Sequence, residues 1–158
     1  MKKWFFAALV SLIICSCTGT KENIFLNGNF DSAAGWKVAN CAEVTDGQVV
    51  VSLVIPKYNT QWQDFLSQTV ALKENTDYVL CAKAKSSLKV LSSSMFVGVR
   101  FPDGRVMKDK EFLLFKDDMT PMSMEFNSGA NNSLVVFCGA WVNQTVKFVI
   151  DDFFLLEK

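Results

Sequence analysis

The segment from residue 58 to residue 64 carries the residue types best suited to holding a polar, ring-shaped ligand. Two aromatic side chains are interleaved with amide and hydroxyl groups in the order Tyr58-Asn59-Thr60-Gln61-Trp62-Gln63-Asp64. No alternating apolar pattern in this segment would bury it. Flat aromatic faces and planar amides together suit a ligand ring that has an apolar side and hydroxyl groups at its edge. Tyr58 and Trp62 are therefore candidate stacking residues, and a loop that merely covers a sheet is the alternative.

Further candidates lie around this segment. Trp141 is a weaker stacking candidate, since it ends a strongly apolar run and would be buried if that run is a core strand. Arg100 is weaker still, because an arginine on the polar face of an alternating strand is usually solvated. The amides expected to orient a bound ring are Asn59, Gln61, Gln63 and Gln68.

The composition excludes several classes of protein. The 158 residues include no His, so catalysis by a nucleophile paired with His and zinc sites with His ligands are both excluded. The formal net charge is zero and the chain has no run of Lys or Arg, so no nucleic-acid partner is expected. The adjacent acids Asp117 and Asp118 would point to opposite faces of a strand, unlike the acid pair of a glycosidase. The sequence therefore predicts a protein that is not an enzyme.

The N-terminus has the pattern of an export signal. Lys2 and Lys3 precede an apolar run from Trp4 to Ile14, which is shorter than a membrane span. The sequence Ile14-Cys15-Ser16-Cys17 resembles the lipobox of bacterial lipoproteins, in which the final Cys is acylated. We therefore predict a signal peptide (residues 1–16), a tether (17–22) that is lipidated at Cys17, and a domain (23–158). The lipid would anchor the domain to the bacterial cell envelope, on either the periplasmic or the surface face of the outer membrane. An ordinary secreted chain and an uncleaved anchor are the alternatives.

Three cysteines belong to the predicted domain, namely Cys41, Cys81 and Cys138. They allow at most one disulfide. Cys81 and Cys138 lie in apolar runs, where a buried thiol behaves as a small hydrophobic group. No CxxC spacing is present, so the sequence favours structural thiols over one disulfide and either of these over a metal site.

The rest of the chain predicts an all-β fold. Apolar stretches recur between turn signals such as Asp46-Gly47 and Asp103-Gly104, and almost none has helical spacing. This pattern predicts two packed antiparallel sheets in a jelly-roll β-sandwich. The predicted strands are Asn23–Leu26, Trp36–Ala39, Ala42–Thr45, Gln48–Ile55, Phe65–Leu72, Asp77–Ser86, Ser94–Phe101, Arg105–Phe115, Thr120–Asn127, Ser133–Trp141 and Val146–Leu156.

Several motifs, in order along the domain, resemble those of family 4/9 carbohydrate-binding modules. The opening Asn23-Ile24-Phe25-Leu26-Asn27-Gly28-Asn29-Phe30-Asp31, followed by Gly35-Trp36, is similar to the first strand region of that family. The middle and closing motifs are Trp62 with Gln68-Thr69-Val70, Asn75-Thr76-Asp77-Tyr78-Val79-Leu80, Ala82-Lys83-Ala84-Lys85 and Val149-Ile150-Asp151-Asp152-Phe153-Phe154-Leu155.

This resemblance implies a galactose-binding-like jelly roll that binds a polysaccharide or oligosaccharide without cleaving it. It also implies neighbouring glycan-degrading or transport proteins as partners. Carried over residue by residue, the structural calcium of the family would be held by Asn29, through its carbonyl, and by Asp31, Asp46 and Asp151. Asp31 replaces the usual Glu. The alternative from another class is a structural or protein-interaction sandwich without affinity for glycans, because many domains of this fold bind no sugar.

Overall fold

A computed structural model describes residues 22–54, 60–86, 93–115, 118–142 and 145–158. Throughout these ranges the regular structure is β-strand, and the apolar residues alternate with polar ones as strands of a half-buried sheet require. The ten strands are β1 (Lys37–Val38), β2 (Ala42–Thr45), β3 (Gln48–Leu53), β4 (Gln61–Ala71), β5 (Asp77–Ser86), β6 (Ser93–Arg100), β7 (Val106–Leu114), β8 (Thr120–Asn127), β9 (Ser133–Val142) and β10 (Val146–Glu157).

The strands form two antiparallel sheets of five. Sheet A has the order β1-β4-β9-β6-β7, and sheet B has the order β2-β3-β10-β5-β8. The sheets pack face to face, and the buried apolar side chains of both form one core. The predicted all-β, two-sheet antiparallel sandwich with jelly-roll architecture is confirmed. No membrane-spanning helix occurs in the part of the chain that the structure describes.

Two of the predicted strands are wrong by more than two residues, and the bounds of the others agree with the structure to within two residues. The segment 23–26 is not a strand: a single backbone bond, from the Ile24 N–H to the Leu155 carbonyl at 3.0 Å, joins it to β10, and side chains, including that of Asn23, supply the other bonds. The Asn23 side chain donates to the Phe153 carbonyl at 2.8 Å and accepts from the Leu155 N–H at 3.0 Å. Strand β4 begins at Gln61 rather than at Phe65, so the segment expected to be a surface loop is partly a strand paired with β9.

A bulge in β4 determines which side chains face the core. Asp64 pairs with Gly139 and Leu66 with Cys138, so Phe65 is an additional residue that has no partner in β9. The alternation of side chains is inverted at this point, and both Phe65 and Leu66 are buried in the core. Even-numbered residues before the bulge face outward, whereas even-numbered residues after it face inward.

The cysteines in the described ranges are thiols rather than a disulfide. Burial raises the pKa of the Cys138 thiol, and the charge of Asp64 raises it further. Burial also raises the pKa of Cys41, although this side chain is only partly covered. Cys81 is buried and lies 3.8 Å from the Ser123 hydroxyl.

We predict that iodoacetamide at pH 8 alkylates Cys41 of the folded protein much faster than Cys81 and Cys138. The reason is that alkylation needs an accessible thiolate, and burial suppresses both accessibility and ionisation at Cys138. Mass spectrometry of the peptides gives the extent of modification at each site, and the urea-unfolded chain is the control in which all three should react. Equal rates in the folded protein, or a disulfide-linked peptide, would contradict the structure.

Candidate functional site

The outer face of sheet A, which points away from sheet B, carries an aromatic cluster instead of the polar side chains usual on a solvated sheet. Inward residues of β9, such as Val136 and Cys138, belong to the core. The outward residues of β9 that matter for the site are Phe137, Gly139 and Trp141. Phe137 is buried although it lies outside the core. A second layer of packing therefore covers the middle of sheet A from outside.

Two outward-facing glycines make room for this layer. A Cβ atom at Gly139 would lie 2.6 Å from Cζ2 of Trp62, and a Cβ atom at Gly98 would lie 2.6 Å from Cζ of Phe137. Real Cβ atoms do not approach so closely, so the two rings lie directly over the glycine backbone. Each ring therefore packs directly against the strand at the place where the glycine has no side chain.

Trp62 and Trp141 form the exposed end of the cluster. They are directly opposite each other in the pairing of β4 with β9, and their ring centroids are 5.6 Å apart in an edge-to-face arrangement. The edges of Phe96 and Phe137 also contact Trp62, at 5.8 and 5.9 Å between centroids. Trp62 is half-buried, whereas Trp141 is 58% exposed. Trp141 therefore offers the open indole surface, and Trp62 supports it.

An ion pair fixes the orientation of the cluster. Asp64 accepts the Trp62 indole N–H at 2.8 Å and two hydrogen bonds from the Arg100 guanidinium at 3.1 and 2.7 Å. The guanidinium also lies 4.9 Å from the centroid of the Phe137 ring. A bidentate guanidinium-carboxylate pair has a defined geometry, so Asp64 holds both Trp62 and Arg100 in place.

These side chains border an open depression of about 260 Å³ on the outer face. Its floor and walls combine indole and phenyl surface with one cation and one anion, and Gly104 and Val106 of the β6-β7 hairpin border one side. A concave surface with aromatic walls and few polar groups suits a small polar ring. The residues that border it are Trp62, Arg100, Gly104, Val106, Asp109, Phe137 and Trp141.

The structure separates the amides that the sequence grouped with Trp62. Gln61 and Gln63 precede the bulge at odd positions, so they point to the opposite side of β4 from Trp62. Gln63 donates to the Asp64 carbonyl at 2.8 Å. Tyr58 and Asn59 lie outside the described residues.

Gln68 also lies apart from Trp62, although both numbers are even. The bulge at Phe65 turns Gln68 inward, where it is buried. Its carbonyl oxygen accepts the Leu26 N–H at 2.9 Å, and its amide donates to the Leu26 carbonyl at 3.0 Å. These two bonds fasten the N-terminal segment to sheet A and use the amide groups that a ligand would need.

Sequence reasoning missed Asp64, Phe96, Phe137 and Asp109 as members of the site. Phe residues in apolar strands are normally assigned to the core, and only the pairing of β4, β9 and β6 shows that two of them face outward. The sequence does contain one signal for the site, namely Gly98 and Gly139. A glycine inside a strand often marks a place where another group packs closely against the backbone.

Two of the four residues proposed to hold calcium, Asp31 and Asp46, line one shallow depression beside β2. Asp31 accepts a hydrogen bond from the Asn29 side-chain amide, and Asp151 accepts from Gln48 at 3.0 Å and from the Asp152 N–H. A Cβ atom on Gly47, the neighbour of Asp46, would lie 3.7 Å from the Asn29 carbonyl. Within the described ranges, no three acidic or thiol side chains are placed to share a metal ion. Calcium therefore stays a prediction of the resemblance.

Comparison with solved structures places the fold among carbohydrate-binding modules. A CBM4 structure matches 84% of this chain and 99% of its own, with a TM-score of 0.66 and 15% identity. A CBM61 module solved with β-1,4-galactotriose matches 87% and 99%, with a TM-score of 0.62 and 16% identity. The N-terminal cellulose-binding domain of β-1,4-glucanase C from Cellulomonas fimi matches 87% and 97%, with a TM-score of 0.55 and 16% identity. At these identities the likeness concerns the fold. No protein-family model and no curated protein matches the chain.

We predict that Gln68→Ala lowers the free energy of unfolding by about 1 to 3 kcal/mol, because it leaves two backbone groups of Leu26 without their partners. Urea unfolding followed by fluorescence measures the change. Gln61→Ala, which removes the same amide from an exposed position, is the control and should shift stability by no more than about 0.5 kcal/mol. If Gln68→Ala left the free energy of unfolding unchanged, the two hydrogen bonds of Gln68 would make no net contribution to stability.

Proposed function

We propose that this domain binds carbohydrate without cleaving it, and that a sugar ring stacks on the exposed indole of Trp141. The observation that carries the proposal is the position of this indole. It is 58% exposed, lies edge-to-face against Trp62, and stands beside the Arg100–Asp64 pair at an open depression. An exposed indole held rigidly by its neighbours loses little conformational entropy when a ligand covers it.

In this proposal the aromatic residues have different roles. Trp141 supplies the stacking surface. Trp62 is a positioning residue, because it is half-buried against three other rings and its indole N–H is donated to Asp64. Arg100 retains N–H groups beyond the two that bond Asp64, and these can donate to sugar hydroxyl groups. Asp109, on β7, offers acceptor oxygens at the same depression. The site thus combines an apolar face with donors and acceptors, as a sugar requires.

The proposed function is binding rather than catalysis. Acid-base cleavage of a glycosidic bond generally uses two carboxyl groups that are available to protonate or attack the substrate. Asp64 instead accepts bonds from Arg100 and from Trp62. Among the described residues, one carboxylate, that of Asp109, borders the depression. The likeness of the fold to carbohydrate-binding modules supports the same conclusion.

We further propose that the domain acts on the bacterial cell envelope, anchored through a lipid on Cys17. The support is the sequence alone, namely the apolar leader and the lipobox-like Ile14-Cys15-Ser16-Cys17. Residues 1–21 lie outside the described part of the chain. A tethered sugar-binding domain would hold glycan near glycan-degrading or transport proteins of the same envelope, and contact with the membrane would be through the lipid.

We predict that the wild-type protein is retarded in native gels containing one or more of β-glucan, xylan and mannan. Trp141→Ala should weaken that retardation by roughly tenfold or more in affinity, the loss expected when a central aromatic contact is truncated. Phe115→Ala is the matched control, because Phe115 is 54% exposed but does not border the depression. It should leave retardation unchanged.

Two results would count against the proposal. If no polymer retards the wild-type protein, the alternative of a structural or protein-interaction sandwich would be favoured. If Trp141→Ala binds as well as wild type, carbohydrate binding would take place elsewhere on the molecule. Unfolding curves of both variants establish that any loss of binding is not a loss of folding.

A further inference from the structure

We propose that the depression selects neutral glycans over anionic ones, and that Asp109 is the residue responsible for this selectivity. This inference rests on the proposed function, since it specifies the class of glycan that the same site accepts. It depends on how the charged side chains around the depression are paired.

The positive charge at the depression is already neutralised. Arg100 forms a bidentate ion pair with Asp64, and its side chain is only 20% exposed. An arginine that recognises a carboxylate or sulfate on a ligand presents its two N–H edges to that ligand. In this protein Asp64 already accepts those hydrogen bonds from Arg100. An anionic sugar would therefore have to compete with the Asp64 carboxylate for the guanidinium.

The cations closest to Asp109 in sequence point away from it. Lys108 and Lys110 alternate to the other face of β7, where they donate to the carbonyls of Glu125 at 2.6 Å and Ser123 at 3.1 Å. Both therefore close the gap between β7 and the free edge of β8 in sheet B, a usual way of protecting an edge strand.

Arg105, in the hairpin that leads into β7, is also engaged elsewhere. Its guanidinium lies 4.5 Å from the centroid of the Phe101 ring and 3.7 Å from the Asp103 carboxylate. Among the residues that the structure describes, no cation forms an ion pair with Asp109. The carboxylate of Asp109 is exposed, and β7 is paired so that Asp109 is opposite Gly98 on the outer face of sheet A.

An uncompensated carboxylate distinguishes two kinds of sugar. It accepts hydrogen bonds from the hydroxyl groups that every neutral sugar ring carries. It repels the carboxylate of a uronic acid or a sulfate ester placed on the same ring, and like charges brought together on binding are unfavourable. The site should therefore bind a neutral polymer more tightly than the same polymer carrying anionic groups.

The test compares one polymer in two forms. The probes are the neutral polymer of the β-glucan, xylan and mannan panel that retards the wild-type protein most, and the carboxymethylated derivative of that polymer. In affinity electrophoresis at low salt, wild type should bind the neutral form more tightly. Asp109→Asn, which keeps the shape and one acceptor oxygen, should reduce this preference by about two- to fivefold, as expected for one exposed charge. Added salt should reduce the preference of wild type in the same direction, because exposed charges are screened.

Glu43→Gln is the matched control. It removes the same charge from an exposed position on edge strand β2 of sheet B, and it should leave the preference unchanged. Equal binding of the two forms by wild type would overturn the inference, as would a preference that Asp109→Asn and added salt both fail to change. In either case retardation by the neutral polymer would still stand, so the inference could fail while the proposed function holds. Absence of retardation by every neutral polymer would instead refute the proposed function itself.

Discussion

Strand β9 is packed on both of its faces, and this double burial determines where a site can form on the molecule. Its inward residues meet sheet B in the core, while Phe137 and Gly139 are covered from outside by Arg100 and Trp62. The ring of Trp62 can lie on the strand only because position 139 has no side chain. Trp141 lies further along the same outer face of β9, next to the covered residues, and its indole is exposed.

The ion pair of Asp64 and Arg100 connects the outer layer to the fold. It joins β4 to β6, which are separated in sheet A by β9. It therefore spans three strands on the outer face, whereas an exposed ion pair between neighbouring residues would contribute little. By accepting the indole N–H as well, Asp64 ties the position of Trp62 to the pairing of β4, β9 and β6.

The sequence was sufficient to predict the architecture but not the composition of the site. Turn signals and alternation predicted the two-sheet sandwich, and Met122, Met124 and Phe126 share a buried face as their alternation indicates. The membership of the site depends instead on one extra residue, Phe65. Its bulge sends Gln68 to the core and leaves Trp62 and Asp64 outside, and nothing in the local pattern marks it. The bond between Asp64 and Arg100 joins residues 36 positions apart, which only strand pairing brings together.

An NMR titration tests most directly whether a sugar ring stacks on Trp141. It follows the indole N–H signals of Trp36, Trp62 and Trp141 while a neutral oligosaccharide is added, taken from the polymer that retards the protein. The Trp141 signal should shift most, and the indole protons of Trp141 should show intermolecular NOEs to sugar protons. The Trp36 signal should stay in place, since its indole N–H is bonded to the Asn27 carbonyl in a buried cluster. A saturable titration that leaves the Trp141 signal unmoved would contradict stacking on Trp141, because the glycan would then be held by another surface.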